Sequence, residues 1–195
     1  MSQRVVIAGA GHAAGQVVAS LRQHKFEGQI VLVGDEPYLP YQRPPLSKKF
    51  LAGDMDVERL YVKPASFYED AGVELHLDTK ITAIDRENKC LHVADDDEIA
   101  YDKLVLALGS RVRRLAVEGT ELKGVHYLRS IADVEGIRNG MEPGRRLVII
   151  GAGYIGLEVA AVAQQAGLDV TIVEMADRVM SRVVSPEVSD FYQIQ

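Results

Sequence analysis

One pattern occurs twice in this chain: an apolar strand, a turn with spaced glycines, a helix and a second apolar strand. The later copy spans residues 146–174 and reads RLVIIGAGYIGLEVAAVAQQAGLDVTIVE. Its first strand, residues 147–150, is apolar without alternation, which is typical of a parallel strand buried on both faces, and residues 170–173 are predicted as a second buried strand. Gly151, Gly153 and Gly156 supply G-x-G-x-x-G between the first strand and the helix. The pattern predicts a parallel α/β unit with a glycine turn at the carboxyl end of a strand.

Each glycine of this turn has its own steric reason. The first makes the turn, the second lets the backbone approach a pyrophosphate, and the third lets the helix pack close to the strand. The helix N-terminus then presents free N–H groups and partial positive charge to the phosphates. Glu174 ends the second strand, where a carboxylate accepts hydrogen bonds from an adenosine ribose and repels a 2′-phosphate. We therefore predict a dinucleotide site that favours NAD(H); a glycine turn that only packs is the poorer alternative.

The earlier copy, residues 4–36, aligns with the later one strand for strand. Gly9 and Gly11 take the first two glycine positions, and Ala14 takes the third, where a small residue is permitted. Together the copies predict two Rossmann-like, three-layer α/β units.

The acid of the earlier copy is displaced along the chain. Gly34 falls at the position that Glu174 occupies in the later copy, and Asp35 follows, with Glu36 beside it. Two such units in one chain indicate two bound dinucleotides. A duplicated repeat without ligands is the poorer interpretation, and a dehydrogenase with one dinucleotide needs only one unit.

The composition of the chain limits the classes of protein to which it could belong. The chain has 195 residues, 47% of them apolar, and a formal net charge of −6, which argues against nucleic-acid binding. It contains no apolar stretch long enough to span a bilayer, so we expect no membrane association. The first strand begins at about Arg4, so we expect no signal peptide. One cysteine, Cys90, allows no internal disulfide, and we expect a cytoplasmic protein.

The segment between the two copies predicts a small antiparallel β insertion and a strand that returns to the first sheet. A helix at 64–71 precedes the insertion, with a proline in its first turn and Gly72 after it. The short strands of the insertion are predicted at 73–77, 80–85, 90–93 and 99–101, and the returning strand at 104–108.

We place the domain boundary near residue 110, with a first unit at 1–110 and an incomplete second unit at 111–195. A proline-rich loop precedes a short helix that has Ser47 near its N-cap. Ser130 and Asp133 form the pattern of a capping box before a helix at 131–138, and a further helix is predicted at 188–195.

Spacing indicates no metal site. The chain lacks the cysteines that would hold an iron–sulfur cluster, and Cys90 is expected to be a buried apolar residue or an incidental surface thiol. The histidines, none of which has ligand spacing, are His12, His24, His76, His92 and His126.

Four segments carry a resemblance to a known family: GAGHAA, YQRPPLSKKFL, LVLALGS and RLVIIGAGYIGLEVA. Together they resemble the two-dinucleotide flavoprotein reductases. Within these, the chain is similar to the NADH-dependent ferredoxin reductases that serve oxygenases and cytochromes P450. It lacks the Cys-x-x-x-x-Cys pair of the glutathione and lipoamide reductase branch.

The resemblance implies FAD in the first unit, NADH in the second and a [2Fe–2S] ferredoxin as the partner that accepts electrons. From the residues alone Lys48 is more simply a surface lysine, but the resemblance implies that it contacts the flavin and pairs with Glu158, both in catalytic roles. The implied FAD contacts are Gly9, Gly11, Ala13, Ala14, Asp35, Glu36, Arg43, Lys48, Ile81, Gly109 and Arg129. The implied NADH contacts are Gly151, Gly153, Tyr154, Ile155, Gly156, Glu158 and Glu174.

Members of this family are longer chains. We therefore expect an N-terminal portion of such a reductase, truncated in the second unit, which alone binds FAD weakly and has little ferredoxin reductase activity. The alternatives are an NADH oxidase-like or apoptosis-inducing-factor-like flavoprotein, or a non-catalytic module that binds NADH. The oligomeric state stays open.

Overall fold

The computed structural model describes residues 3–194, except for the side chain of residue 95. These residues fall into two compact units. The first comprises Met1–Arg43 and Val57–Arg111, and the second comprises Pro44–Asp56 and Val112–Gln195. The segment Pro44–Asp56 was expected in the first unit but belongs to the second, because its short helix packs against two helices of that unit.

The first unit contains two sheets. The parallel sheet has, in order across it, the strands β3 (Val73–His76), β2 (Gln29–Val33), β1 (Arg4–Ala8) and β7 (Lys103–Leu106). The antiparallel sheet has, in order, the strands β4 (Ile81–Asp85), β5 (Cys90–Val93) and β6 (Glu98–Ala100). Helix α1 (His12–Gln23) connects β1 to β2, and helix α3 (Ala65–Asp70) precedes β3.

The central strands of this unit are buried on both faces, as predicted. Val5 and Ile7 point into one core cluster with residues of α1 and α3. Val6 and Ala8 point into a second cluster with Leu91 and other residues of the antiparallel sheet. Because successive side chains of a strand alternate between faces, an unbroken apolar run is what two covering layers require.

The prediction for β3 was wrong. This strand pairs in parallel with β2, Val73 opposite Ile30, instead of joining the antiparallel insertion. Helix α3 ends at Asp70, and Gly72 (φ +58°) follows its C-cap residue Ala71 and turns the chain back along the parallel sheet. A short apolar run does not specify its partner, so sequence pattern alone cannot assign it to a sheet. The antiparallel pairing of β4, β5 and β6 and the return of β7 to the parallel sheet are confirmed.

The second unit contains a parallel pair, β8 (Arg146–Ile150) and β9 (Asp169–Val173), joined by helix α5 (Tyr154–Gln165). The capping box of Ser130 and Asp133 at the start of helix α4 (Ile131–Arg138) is confirmed, with both of its hydrogen bonds present. Residue 195 of the last predicted helix lies outside the described residues. The other helices of this unit are α2 (Lys49–Ala52) and α6 (Pro186–Ile194).

The strands of the second unit are not buried on both faces, which corrects the prediction. Val148, Ile150 and Val173 are 60%, 67% and 50% exposed. Helix α5 packs against both strands and covers the face that carries Ile149. In the part of the chain that the structure describes, the opposite face is exposed. No helix among residues 3–194 has the length and apolar content needed to cross a membrane.

Candidate functional site

The first glycine of each turn has the same backbone conformation, and its N–H donates to the equivalent carbonyl at the end of the neighbouring strand. Gly9 has φ +107° and Gly151 has φ +109°, a region that side-chain-bearing residues rarely adopt. The N–H of Gly9 donates to the Val33 carbonyl at 2.7 Å, and that of Gly151 donates to the Val173 carbonyl at 2.8 Å. Each turn is therefore fixed to the end of the neighbouring parallel strand.

The second glycine of each turn is the N-cap of the following helix. Gly11 (φ −88°, ψ −172°) precedes α1, and Gly153 (φ −84°, ψ −175°) precedes α5. Neither helix has a side-chain cap or an acidic residue in its first turn. A Cβ at either glycine would meet no atom within 4 Å. Each turn thus combines uncapped N–H groups with open space, which suits an anionic pyrophosphate.

The third position differs between the two turns. A Cβ on Gly156 would collide with the carbonyl oxygen of Gly151, so α5 approaches its strand at a distance that only glycine permits. Ala14 is fully buried, and its methyl group packs in the core of the first unit. Of the two alanines proposed as FAD contacts, only Ala13 therefore presents its side chain at the surface.

Glu174 lies beside the second turn. Its Oε2 accepts a hydrogen bond from the Ala152 N–H at 2.8 Å, and its Oε1 accepts one from the Ala176 N–H at 2.9 Å. The bond from Ala176, followed by that from Ala152, lowers the pKa of Glu174 below its ordinary value. A carboxylate has about four acceptor positions, and these backbone N–H groups, with that of Met175, leave room for a further donor such as a ribose hydroxyl.

The acids of the first unit are arranged differently. A Cβ at Gly34 would collide with that of Ala10, so no side chain fits at the position equivalent to Glu174. Asp35 is exposed. Glu36 is half-buried and its Oε1 lies 2.7 Å from Arg43 Nη2. Arg43, implied as an FAD contact, is thus paired with a carboxylate of its own unit.

Tyr41 completes this cluster. Its hydroxyl donates to Glu36 Oε2 at 2.6 Å and accepts from Arg43 Nη1 at 2.9 Å. The Arg43 guanidinium carbon also lies 4.9 Å from the centre of the Tyr41 ring. Tyr41 was not foreseen as a site residue. Its spacing of two residues from Arg43 in an extended, proline-rich loop is the signal that places both side chains on one side.

Lys48 and Glu158 form an ion pair near the N-terminus of α5. Lys48 Nζ lies 2.8 Å from Glu158 Oε2, and the Ser47 hydroxyl donates to the same oxygen at 2.5 Å. Burial alone raises the pKa of Glu158, but the bonds from Lys48 and Ser47 and the Lys48 charge together lower it below the ordinary value. The lowered pKa favours the ionised form of the Glu158 carboxyl beside Lys48.

Ser47 lies directly before the N-cap of the short helix, close to where the sequence predicted it, but it does not cap that helix. It ends a 3-10 turn at Pro44–Ser47, and Lys48 is the N-cap of α2. Ser47 is only 4% exposed, and its hydroxyl bonds to Glu158 instead of to a helix N–H. No local sequence pattern predicts this role of Ser47, because Glu158 lies 111 residues further along the chain.

The other proposed contacts occupy several elements. Ile81 begins β4, and Gly109 (φ +67°) follows β7. The Arg129 N–H donates to Asp133 Oδ2 at 2.9 Å ahead of α4. Tyr154 and Ile155, in the first turn of α5, are both more than half exposed. Their contacts with FAD or NADH stay predictions.

The chain belongs to the pyridine nucleotide-disulphide oxidoreductase family, whose model matches residues 3–195. It is 45% identical over 190 residues to a probable ferredoxin reductase of Castellaniella defragrans, covering 97% of this chain and 46% of that protein. It is 44% identical over 182 residues to a rubredoxin-NAD(+) reductase of Pseudomonas putida, covering 93% of this chain and 47% of that protein.

A solved structure of a covalent putidaredoxin reductase–putidaredoxin complex has a similar fold. Its matching chain gives a TM-score of 0.94 at 42% identity, covering 98% of this chain and 47% of that one. The chain thus spans less than half the length of each of these relatives.

Proposed function

We propose that this chain is part of a flavoprotein reductase that passes electrons from NADH through FAD to a [2Fe–2S] ferredoxin serving an oxygenase or a cytochrome P450. The observation that carries the proposal is the pair of glycine turns with matching backbone geometry, one in each unit. The relatives named as ferredoxin and putidaredoxin reductases support the choice of acceptor. The proposed cytoplasmic location stays a prediction.

The two turns fit two dinucleotides. We assign FAD to the turn at Gly9 and Gly11 and NADH to the turn at Gly151 and Gly153, as the resemblance implies. In each, the uncapped helix N–H groups would bind the pyrophosphate, and the open space beside the second glycine would admit it. When bound, FAD would supply a hydride acceptor that releases electrons one at a time.

The protein side chains have binding and orienting tasks. Glu174, held by two backbone N–H groups, would accept hydrogen bonds from the adenosine ribose of NADH and repel a 2′-phosphate. We assign Lys48 and Glu158 to the reacting end of the site, where a fixed cation and carboxylate would place the rings. Ser47 would hold Glu158 in position.

The alternatives differ in their acceptor. An NADH oxidase-like enzyme would pass electrons to oxygen, and such enzymes usually place a catalytic cysteine in the first unit near the loop YQRPPLSK, which has none. A relative named as a rubredoxin reductase makes rubredoxin a second candidate acceptor. A non-catalytic module would bind NADH without turnover.

The test is anaerobic flavin reduction. The purified chain is saturated with FAD, because we expect weak binding, and its visible spectrum is recorded before and after NADH. We expect NADH to bleach the oxidised-flavin bands, and Glu158→Gln to slow the bleaching about tenfold or more. Ser189→Ala, which alters a buried serine elsewhere in the second unit, is the matched control.

The acceptor is then identified by adding ferredoxin, rubredoxin or oxygen to the reduced protein. Reoxidation by ferredoxin faster than by the other two supports the proposal. If rubredoxin or oxygen reoxidises the reduced protein fastest, that acceptor replaces ferredoxin in the proposal. An unchanged spectrum, with NADH bound and FAD saturating, contradicts flavin reduction by this chain and leaves the nucleotide-binding module.

A further inference from the structure

Strand pairing brings together three metal-ligand side chains that are scattered in the sequence. The ligand atoms of Asp85, Cys90 and His92 all lie within 4.8 Å of one another. The hairpin register puts Asp85 directly opposite Cys90, and His92 follows Cys90 by two residues on the same face. Spacing along the chain did not reveal this group, because its ligands come from two strands.

The face that carries these residues is the outer one. The intervening residue Leu91 points into the core cluster shared with the parallel sheet, as do Val93 and Ile99. The opposite face of the sheet therefore holds Asp85, Cys90 and His92, of which Asp85 and His92 are half-buried and Cys90 is 6% exposed. Two exposed alanines, Ala83 opposite His92 and Ala100 opposite Cys90, leave room above the sheet.

A fourth residue orients the imidazole. Glu98 lies opposite His92 on β6, and its Oε1 is 3.2 Å from His92 Nδ1. Metal-bound histidines usually donate their other ring N–H to a carboxylate, which fixes the ring for the ion. In a metal site Glu98 would take the place of the supporting carboxylate at Nδ1, and the other ring nitrogen would be the metal ligand.

We propose that Asp85, Cys90 and His92 form a binding site for a zinc-type divalent ion on the outer face of the three-stranded sheet, with Glu98 supporting His92. A thiolate, an imidazole and a carboxylate are the ligand types of zinc, whereas magnesium and calcium take oxygen ligands. The thiol would release its proton as the ion binds. Zinc bonds of about 2.0–2.3 Å place tetrahedral ligands roughly 3.5 Å apart, so small rotamer changes would close the site.

The turn of the hairpin favours this arrangement. Asp85 Oδ1 accepts from the N–H groups of Glu87 and Asn88, and its Oδ2 accepts from Asn88 Nδ2. These three bonds fix the carboxylate at the strand end, and about one of its four acceptor positions, on Oδ2, remains for an ion. A bound ion would join β4 to β5, so it would stabilise the first unit independently of any nucleotide.

The test uses cobalt(II) as a spectroscopic probe for zinc. The untagged chain, freed of metal by a chelator and kept reduced, is titrated with cobalt(II) in difference mode. We expect one equivalent to bind with a near-ultraviolet thiolate-to-cobalt band, zinc to displace it, and zinc to raise the Tm. Cys90→Ser should abolish the band, and His92→Gln should weaken binding at least tenfold.

Two further variants sharpen the result. Glu98→Gln should weaken binding about tenfold, as expected for a carboxylate that only orients the ligand. His24→Gln, which changes an exposed histidine of the same unit, is the control and should leave binding unchanged. The proposal is overturned by the absence of a thiolate band in the folded wild-type chain. It is equally overturned by binding that survives both Cys90→Ser and His92→Gln. Neither outcome bears on the proposed reductase.

Discussion

In the first unit the strand before the glycine turn is buried on both faces, whereas in the second unit the equivalent strand is covered on one face only. Val6 is fully buried and Val148, at the equivalent position, is 60% exposed. Yet the turns that follow agree closely, with φ of +107° at Gly9 and +109° at Gly151. The geometry of the turn is thus set by its glycines and by the hydrogen bond to the neighbouring strand, independently of how the sheet is covered.

The acidic residues near the two glycine turns also differ in their interaction partners. Glu36 pairs with Arg43 and accepts a hydrogen bond from Tyr41, whereas the Glu174 carboxylate accepts hydrogen bonds from backbone N–H groups and is influenced more weakly by the charge of Arg182. Of the two acids, Glu174 is the one that we propose to repel a 2′-phosphate.

The largest expected effect comes from the third glycine position. Gly156→Ala should destabilise the second unit by about 3 kcal/mol, because the new Cβ collides with the Gly151 carbonyl and α5 must move. The matched change Ala14→Gly removes a buried methyl and should cost only about 1 kcal/mol. Urea unfolding followed by hydrogen exchange in each unit measures both. A smaller cost for Gly156→Ala than for Ala14→Gly would contradict the steric argument.

The next effect tests the burial of the equivalent strands. Val6→Ala should cost about 2 kcal/mol, because it leaves a cavity between two covering layers. Val148→Ala should cost less than about 1 kcal/mol, because its side chain is already largely exposed. The same hydrogen-exchange measurement gives both values. Equal costs would mean that the open face of β8 is covered in solution.

Much of this fold was predictable from sequence because its information is local. The glycine turns, the capping box at Ser130 and the strand–helix–strand order each depend on residues close together in the chain. The pairing of β3 with β2 and the exposure of β8 depend on which layers meet. A strand pattern reports that a face is apolar, but not what packs against it.

Contacts in the candidate site were also difficult to predict where they join residues that are far apart in the chain. Lys48 and Glu158 were implied as a pair by resemblance to a family, since no local pattern joins residues so far apart. Ser47 was assigned to a helix cap because serine is common there, and the structure instead buries its hydroxyl on Glu158. The same holds for Asp85, Cys90 and His92, which only the hairpin register brings together.

The acid comparison predicts a change in cofactor preference. Glu174→Gln should reduce the preference for NADH over NADPH by about tenfold, because the charge that repels the 2′-phosphate is lost. Glu36→Gln should leave this ratio unchanged, since that acid belongs to the other unit and is already paired. Titrations with both nucleotides, followed by nicotinamide fluorescence, give the ratio. An unchanged ratio for Glu174→Gln would remove Glu174 from the ribose site.

The smallest effect concerns the titration of Glu158. In the folded chain its pKa is lower than in the unfolded chain, because the bonds from Lys48 and Ser47 outweigh burial. Its ionised form therefore stabilises the fold above the ordinary glutamate pKa of about 4.3. That contribution is lost as the pH falls through the lower folded value. Ser47→Ala removes one of the two donors, so the pKa of Glu158 should rise toward its ordinary value.

The two buried serines of the second unit separate this electrostatic role from simple packing. Ser47 donates to a carboxylate, whereas Ser189 donates to the backbone carbonyl of Val179. Both changes to alanine remove a buried hydrogen bond and should reduce stability, but only Ser47→Ala should move the Glu158 titration, followed by carbon NMR of its carboxyl group. Equal titration curves in the two variants would mean that Lys48 alone holds Glu158 ionised, and Ser47 would then be a packing residue.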